Sequence, residues 1–365
     1  MTEGQMSGGE TAGIAELANK ISKELFEWFR WERVPVLDQN FRCVKQEKHA
    51  PRKKADHTHP VDVVFHYVDP YLGRRVLLNT DLKSYAKGSI SSSAIRSALR
   101  SLAQTIDCAC VSEEWSGRYD LTNESLDVRG MLFVYNHDAE YDSDFMAMLE
   151  EKKTKAKNPL DEEPGVTTET LPLEQNQVLH IVDPSMIAYM TTVIADTHRL
   201  HSEGTFPTSD YFFHYPDLKL HKTHGSKQSR AATVEMIAGP YLIVGHEVVK
   251  KYNEKTEEVE ERFPAGYVIY YNRAGSTHHE FMYLFDTLSS FQILDGSHPL
   301  RVRVAHSSPH TSIRSNFQRA IEMYISDWKF DEYKRRRLEQ IELELIEVRK
   351  TTFSQENIKW DRIAK

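Results

Sequence analysis

The sequence predicts an α/β fold for its first 150 residues and an α+β region thereafter. Three observations carry this: an early helical stripe, two β-rich runs joined by a tight turn, and a second helical stripe leading into a buried strand. At 365 residues the chain is long enough for two cores. Residues 1–150 read as one domain, 151–175 as an acidic linker or exposed insertion, and 176–365 as a second domain of unassigned role that ends in a long helix.

Ala15 to Arg30 reads as an amphipathic helix, with Leu17, Ile21, Leu25 and Trp28 on one stripe and Glu24 at its border. Phe41 to Val44 reads as a short strand. Val63 to Val68 and Arg75 to Asn79 are rich in β-branched, aromatic and aliphatic residues, and Asp69-Pro70-Tyr71-Leu72-Gly73 between them is turn chemistry. A symmetric hairpin about that turn sets Asp62 opposite Asp81. Opposed residues share a face with Cβ atoms about 5 Å apart, so the two carboxylates repel unless a cation sits between them. Lys83 follows Asp81 by two and points to the same face. Two acids and a base then converge, a geometry suited to hydrolysis with Mg²⁺ or Mn²⁺ on hard oxygen ligands.

After the hairpin come a polar loop with Lys87 and a helix from Ser92, whose Ile95, Leu99, Leu102 and Ile106 line one face while Arg96 and Arg100 lie on the other. Gly130 to Tyr135 is a buried strand, and Asp144 to Lys152 a helix. In the second half, strands are expected at 178–182, 211–214, 233–237, 241–248, 267–271, 291–294 and 302–305, and helices at 186–200 and 278–288; the strand at 178–182 and the helix at 186–200 could complete the first domain rather than open the second. Residues 313–349 read as helix, with a coiled-coil-like seam at Leu338, Ile341, Leu345 and Val348 that packs on its own domain.

The chain carries a net charge of −8, but residues 41–101 hold twelve Lys and Arg against five Asp and Glu. A basic segment in an acidic protein suggests a local phosphate-binding surface, with Lys53, Lys54, Lys87, Arg96 and Arg100 as candidate DNA contacts. Cys43, Cys108 and Cys110 show no metal-ligand spacing, so they read as small core residues in a reducing compartment rather than as a zinc site. His57 and His59 flank the hairpin acids and could touch substrate, but as a loop histidine pair they read as surface. No apolar run reaches eighteen residues, so a cytoplasmic protein without a membrane span is expected. P-loop, zincin and serine-hydrolase motifs are absent from the sequence. Asp217-Leu218-Lys219 repeats the D-L-K string, and Phe213-His214-Tyr215 echoes Phe65-His66-Tyr67; a duplicated, degenerate fold in the second half would explain this, but with no acid at hairpin distance before Asp217 the echo reads as coincidence.

A helix with Glu24, a strand, Pro60-Val61-Asp62 on one hairpin arm, Asp81-Leu82-Lys83 on the next, then an Arg-bearing helix and a strand: this order resembles the PD-(D/E)XK nuclease superfamily, the restriction-endonuclease-like fold. The resemblance spans about Ala15 to Tyr135 and implies an αβββαβ core with a mixed sheet flanked by helices. It further implies that Asp62 and Asp81 bind Mg²⁺, with the Leu82 carbonyl as a further oxygen, that Lys83 positions the water, and that Glu24 is an additional acid. The expected function is hydrolysis of DNA phosphodiester bonds. By analogy with antiviral defence effectors, a protein partner or a homo-oligomer is also expected. The rival reading is a catalytically inactive DNA-binding or assembly subunit.

Overall fold

The computed structural model describes residues 16–17, 19–49, 57–119, 126–150, 153–155, 158–163, 165–166, 170–215, 226–253, 258–294 and 298–350. The chain divides into two compact units, one reaching Ile187 and the other Ala188–Lys350. The division falls after the expected boundary at 175 because the strand near 180 joins the first sheet.

The first unit is built on strands β1 (Glu32–Arg42), β2 (Thr58–Val68), β3 (Arg75–Tyr85), β4 (Leu126–Asn136) and β5 (Leu179–Val182), which form one mixed sheet in that order. Strands β1, β2 and β3 are antiparallel neighbours, whereas β4 and β5 run parallel to β3. A parallel neighbour needs a crossover. Between β3 and β4 this is helix α2 (Ser92–Ala109), followed by the short α3 (Glu113–Arg118). Ser91 caps α2 by accepting from the Ala94 N–H at 3.4 Å. Ile95, Leu99, Leu102 and Ile106 then pack on Leu132 and Val134 of β4, closing one face of the sheet. On the other face Phe26 packs on Phe65 and Phe133, and Trp31 stacks on Tyr67 at 5.2 Å.

The first helix departs from its expected stripe. Ser22–Phe26 is a π-helical turn, and the Trp31 N–H reaches back five residues to the Phe26 carbonyl at 3.0 Å. The wider turn advances the phase, so Phe26 and Phe29 are buried with Ile21 and Leu25, and Trp28 is only half-buried. Strand β1 begins nine residues before the expected Phe41, with a register shift between Arg33 and Leu37. Part of the expected linker forms a two-stranded hairpin, Lys153–Lys155 with Asn158–Glu163.

The second unit takes helix α4 (Pro184–Ser202) from Ala188 onward and the strands β6 (Tyr211–Phe213), β7 (Tyr241–His246), β8 (Gly266–Tyr271), β9 (Leu300–Val304) and β10 (Glu342–Leu345). They form a second five-stranded sheet, with α5 (His278–Ser290) between β8 and β9, and α6 (Ile313–Trp328) and α7 (Glu332–Glu339) between β9 and β10.

The long terminal helix does not form. Lys329 turns left-handed at φ 50°, Asp331 accepts from the Lys334 N–H at 2.9 Å to start α7, and β10 pairs parallel to β9. The alternation Glu342-Leu343-Glu344-Leu345 has the period of a strand and presents both leucines to the core. Leu338 and Ile341 are buried in that core, so no coiled-coil seam remains. The expected strand at 233–237 is a helical turn, Val234–Ala238, capped by the Thr233 hydroxyl at 3.3 Å from the Met236 N–H. That at 291–294 is a turn with Gln292 at φ 57°. No helix among the described residues is long and apolar enough to cross a membrane.

Candidate active site

The β2–β3 hairpin is set by its turn. The Asp69 carboxylate accepts from the Tyr71 and Leu72 N–H groups, each at 2.9 Å, and Gly73, at φ 60°, donates to the Asp69 carbonyl. Pairing then runs from Val68↔Arg75 to Val63↔Thr80, the symmetric register expected from the sequence. The ladder stops there. The Leu82 N–H, which regular pairing would direct at Val61, is donated to the Asp62 carboxylate at 2.7 Å, while Val61 pairs with Gln39 of β1. The N–H and C=O of one strand residue point the same way, so the Leu82 carbonyl faces the same gap.

Asp81 lies opposite Leu132 in the parallel β3–β4 pair, on the face covered by α2, and Lys83 shares that face. The Lys83 ammonium is 2.6 Å from the Asp81 carboxylate. Burial pushes the Asp62 carboxyl up to about 7, the negative Asp81 beside it adds to the rise, and the Leu82 N–H and Lys83 pull the other way. Without a cation, Asp62 thus holds a proton near neutrality. Burial also works against the Lys83 charge, but Asp81 outweighs it and holds the ammonium above its usual range. Beneath the pair, Asn79 accepts from the Trp115 indole at 3.3 Å. Two carboxylates and a carbonyl at one gap suit a hard divalent cation, which would displace the proton on Asp62.

The remaining sequence candidates are placed differently. Glu24 sits on the π turn that packs through Phe26 on the opposite face, and its carboxylate is 3.5 Å from Lys20. Arg96 is 9% exposed, not on an open helix face: Ser92, Ile95, Leu99 and Ala103 around it are also buried, so α2 is covered over much of its circumference. Arg100 is exposed. Lys87 is engaged, its ammonium 2.7 Å from Asp142 and its backbone N–H donated to Asp138 at 2.9 Å. Lys53, Lys54 and residues 216–225, which include the second D-L-K string, lie outside the described residues.

Sequence reasoning missed the Asp138 and Asp142 pairing of Lys87, which depends on the β4 end meeting the loop after β3. It also took His59 for a surface residue, whereas the start of β2 buries it to 2% exposure beside Cys43, His49 and Cys108. Separations of 6, 10 and 49 residues along the chain follow no known ligand motif, so only their convergence reveals them.

No curated protein and no solved structure gives a match to the chain. Residues 6–186, which contain the whole β1–β5 sheet and the Asp62–Asp81–Lys83 cluster, match the family model described as the GAPS4 protein PD-(D/E)XK nuclease domain, and this part of the chain belongs to that nuclease family.

Proposed function

We propose that the first unit is a metal-dependent nuclease acting on DNA phosphodiester bonds. The observation behind this reading is the convergence of two carboxylates and an ammonium at a splayed hairpin end, where burial makes the second negative charge costly unless a cation offsets it. Asp62, Asp81 and the Leu82 carbonyl would hold Mg²⁺, with Mn²⁺ able to replace it, because all three donors are hard oxygens. The bound ion would supply Lewis acidity toward the phosphate and a more acidic water. Lys83, kept charged by Asp81, orients the attacking water and offsets the charge that grows at phosphorus. Glu24, paired with Lys20, stands outside the proposed ligand set.

Arg100, with Lys53 and Lys54, is assigned to the DNA backbone, and Lys87 joins them once its pair with Asp142 opens. The family's association with antiphage defence supports an effector role, exerted in the cytoplasm together with a protein partner or a second copy. The test is incubation of the purified chain with supercoiled and linear DNA in Mg²⁺, Mn²⁺ or EDTA, beside Asp81→Ala. Metal-dependent cutting that disappears in the variant supports the reading. Salt-sensitive DNA binding without measurable Mn²⁺ affinity would replace it with an inactive DNA-binding subunit. Protection from phage plaquing that survives Asp81→Ala would separate defence from cleavage.

A further inference from the structure

Cys43, His49, His59 and Cys108 are all buried, and one potential ligand atom from each lies within 4.8 Å of every other. They come from four segments: Cys43 just past β1, His49 at the end of the short helix α1 (Gln46–His49), His59 at the second residue of β2, and Cys108 near the end of α2. The two sulfurs are 3.7 Å apart, far beyond the ~2.05 Å of a disulfide. His49 Nδ1 is 3.6 Å from Cys43 Sγ and 3.4 Å from Cys108 Sγ. A tetrahedral ion with bonds of about 2.3 Å to sulfur and about 2.0–2.1 Å to nitrogen would hold two sulfurs about 3.8 Å apart and sulfur from nitrogen about 3.6 Å. The three distances match that tetrahedron.

Two further observations point to a ligand. The Asp107 carboxylate lies 3.1 Å from His49 Nε2, so that nitrogen donates and the Nδ1 lone pair is turned toward the sulfurs. Asp107 is itself held by Lys45 at 2.7 Å, Lys48 at 3.1 Å and Gln177 at 3.1 Å. A carboxylate behind a metal-facing histidine is the usual support of a zinc ligand. In addition, His59 Nε2 is buried without a hydrogen-bond partner among the described residues, a cost that a bound ion would remove.

We propose that these four side chains bind one Zn²⁺ ion in a closed structural site. Two thiolates and two neutral imidazoles make it neutral overall, which suits its burial, and the soft S₂N₂ set discriminates it from the hard oxygen set at Asp62 and Asp81. The ion ties the ends of β1 and α1 and the start of β2 to α2. His59 is three residues ahead of Asp62 on β2, so the site anchors the strand that carries a candidate catalytic acid. The proposal does not depend on the nuclease reading.

The test is metal analysis of the full-length chain after gel filtration, for wild type, Cys108→Ser, Asp81→Ala and Cys110→Ser, together with the absorption spectrum of wild type loaded with Co²⁺. The expected result is about one zinc per chain in wild type, Asp81→Ala and Cys110→Ser, a loss of most zinc in Cys108→Ser, and a tetrahedral cobalt spectrum with sulfur-to-cobalt charge transfer. If Cys108→Ser fails to fold, the wild-type cobalt spectrum decides alone. Zinc-free wild type, an all-oxygen cobalt spectrum, or zinc that survives in Cys108→Ser but leaves in Asp81→Ala would overturn the proposal.

Discussion

In the first sheet β1, β2 and β3 are antiparallel, a helix crosses over, and β4 and β5 run parallel to β3. In the second, β6, β7 and β8 are antiparallel, α5 crosses over, and β9 and β10 run parallel to β8. The strand order and sense repeat, and a helix precedes each set. What stands at the end of the third strand does not repeat. On the face covered by the crossover helix, the first sheet has Asp62 and Asp81 with Lys83 two residues on, while the second pairs Tyr241 with Tyr271, followed by Arg273. The Tyr241 hydroxyl donates to Thr287 Oγ1 at 2.6 Å and the Tyr271 hydroxyl to Glu280 at 2.9 Å. One end thus carries a charge conflict that a cation would resolve, and the other carries polar groups already satisfied within the protein. A shared architecture hosts a candidate metal site in one case and a packed core in the other, because the chemistry lies in a few side chains and not in the sheet.

The largest effect that would break this comparison is catalytic. Asp81→Ala is expected to lower metal-dependent DNA cleavage by at least ~10³-fold and Lys83→Ala by about 10²–10³-fold, read from initial rates. Equal loss on Tyr271→Phe would mean that the two sheet ends are not functionally distinct.

Next comes a stability effect confined to the second unit. Arg303 forms a bidentate pair with Asp196, at 2.5 and 2.9 Å, and Tyr270 donates to the same carboxylate at 3.1 Å. Arg303→Ala leaves that buried acid to Tyr270 and the partly exposed Arg199, 3.3 Å away, and is expected to cost about 2–4 kcal/mol in denaturant unfolding, whereas Arg100→Ala, at an exposed position, is expected to change stability by less than about 0.5 kcal/mol.

A smaller effect has the opposite sign. The Asp62 carboxyl is raised in the folded state to about 7 from its ordinary value of 3.8. As pH rises between those values the unfolded chain gives up this proton first, so metal-free stability falls across that window and levels off above it. Asp62→Asn should therefore raise metal-free stability by roughly 1–3 kcal/mol at pH 8, with the gain shrinking toward pH 4. Mn²⁺ affinity of the unaltered chain, followed by calorimetry, should strengthen through pH 7. A pH-independent difference between the two proteins would remove the charge conflict from the account.

The smallest effect is expected at the second sheet end, where Tyr271→Phe loses one hydrogen bond and should cost about 1 kcal/mol in thermal unfolding while leaving cleavage within about twofold. A larger loss of cleavage would show that the satisfied end contributes to the reaction.

Legibility followed the range of the interactions involved. The β2–β3 hairpin could be read because its register is set by five turn residues and by runs of β-branched side chains, all within thirty residues of sequence. From that register alone the two acids and Lys83 fall on one face. The repeat of the sheet was hidden because its strands are short, and the audible echo was out of phase: Phe65 lies on the second strand of its sheet and Phe213 on the first. The burial of Arg96 was hidden for a similar reason, since the width of the covered face of α2 depends on what packs around it and not on the helix's own periodicity. Helix breaking at Lys329 required a left-handed residue that is neither Gly nor Asn, and the sequence there carries no stop signal.

By itself, then, the sequence determined the hairpin and its acid–acid–lysine face, because strand alternation and turn symmetry are local and periodic. Tertiary structure alone decided that Cys43, His49, His59 and Cys108 meet, that Asp107 stands behind them, and that two tyrosines occupy the matching end of the second sheet. Those arrangements depend on how a helix lies against a sheet, and the packing that brings residues dozens of positions apart within a few ångströms leaves no spacing in the chain to read.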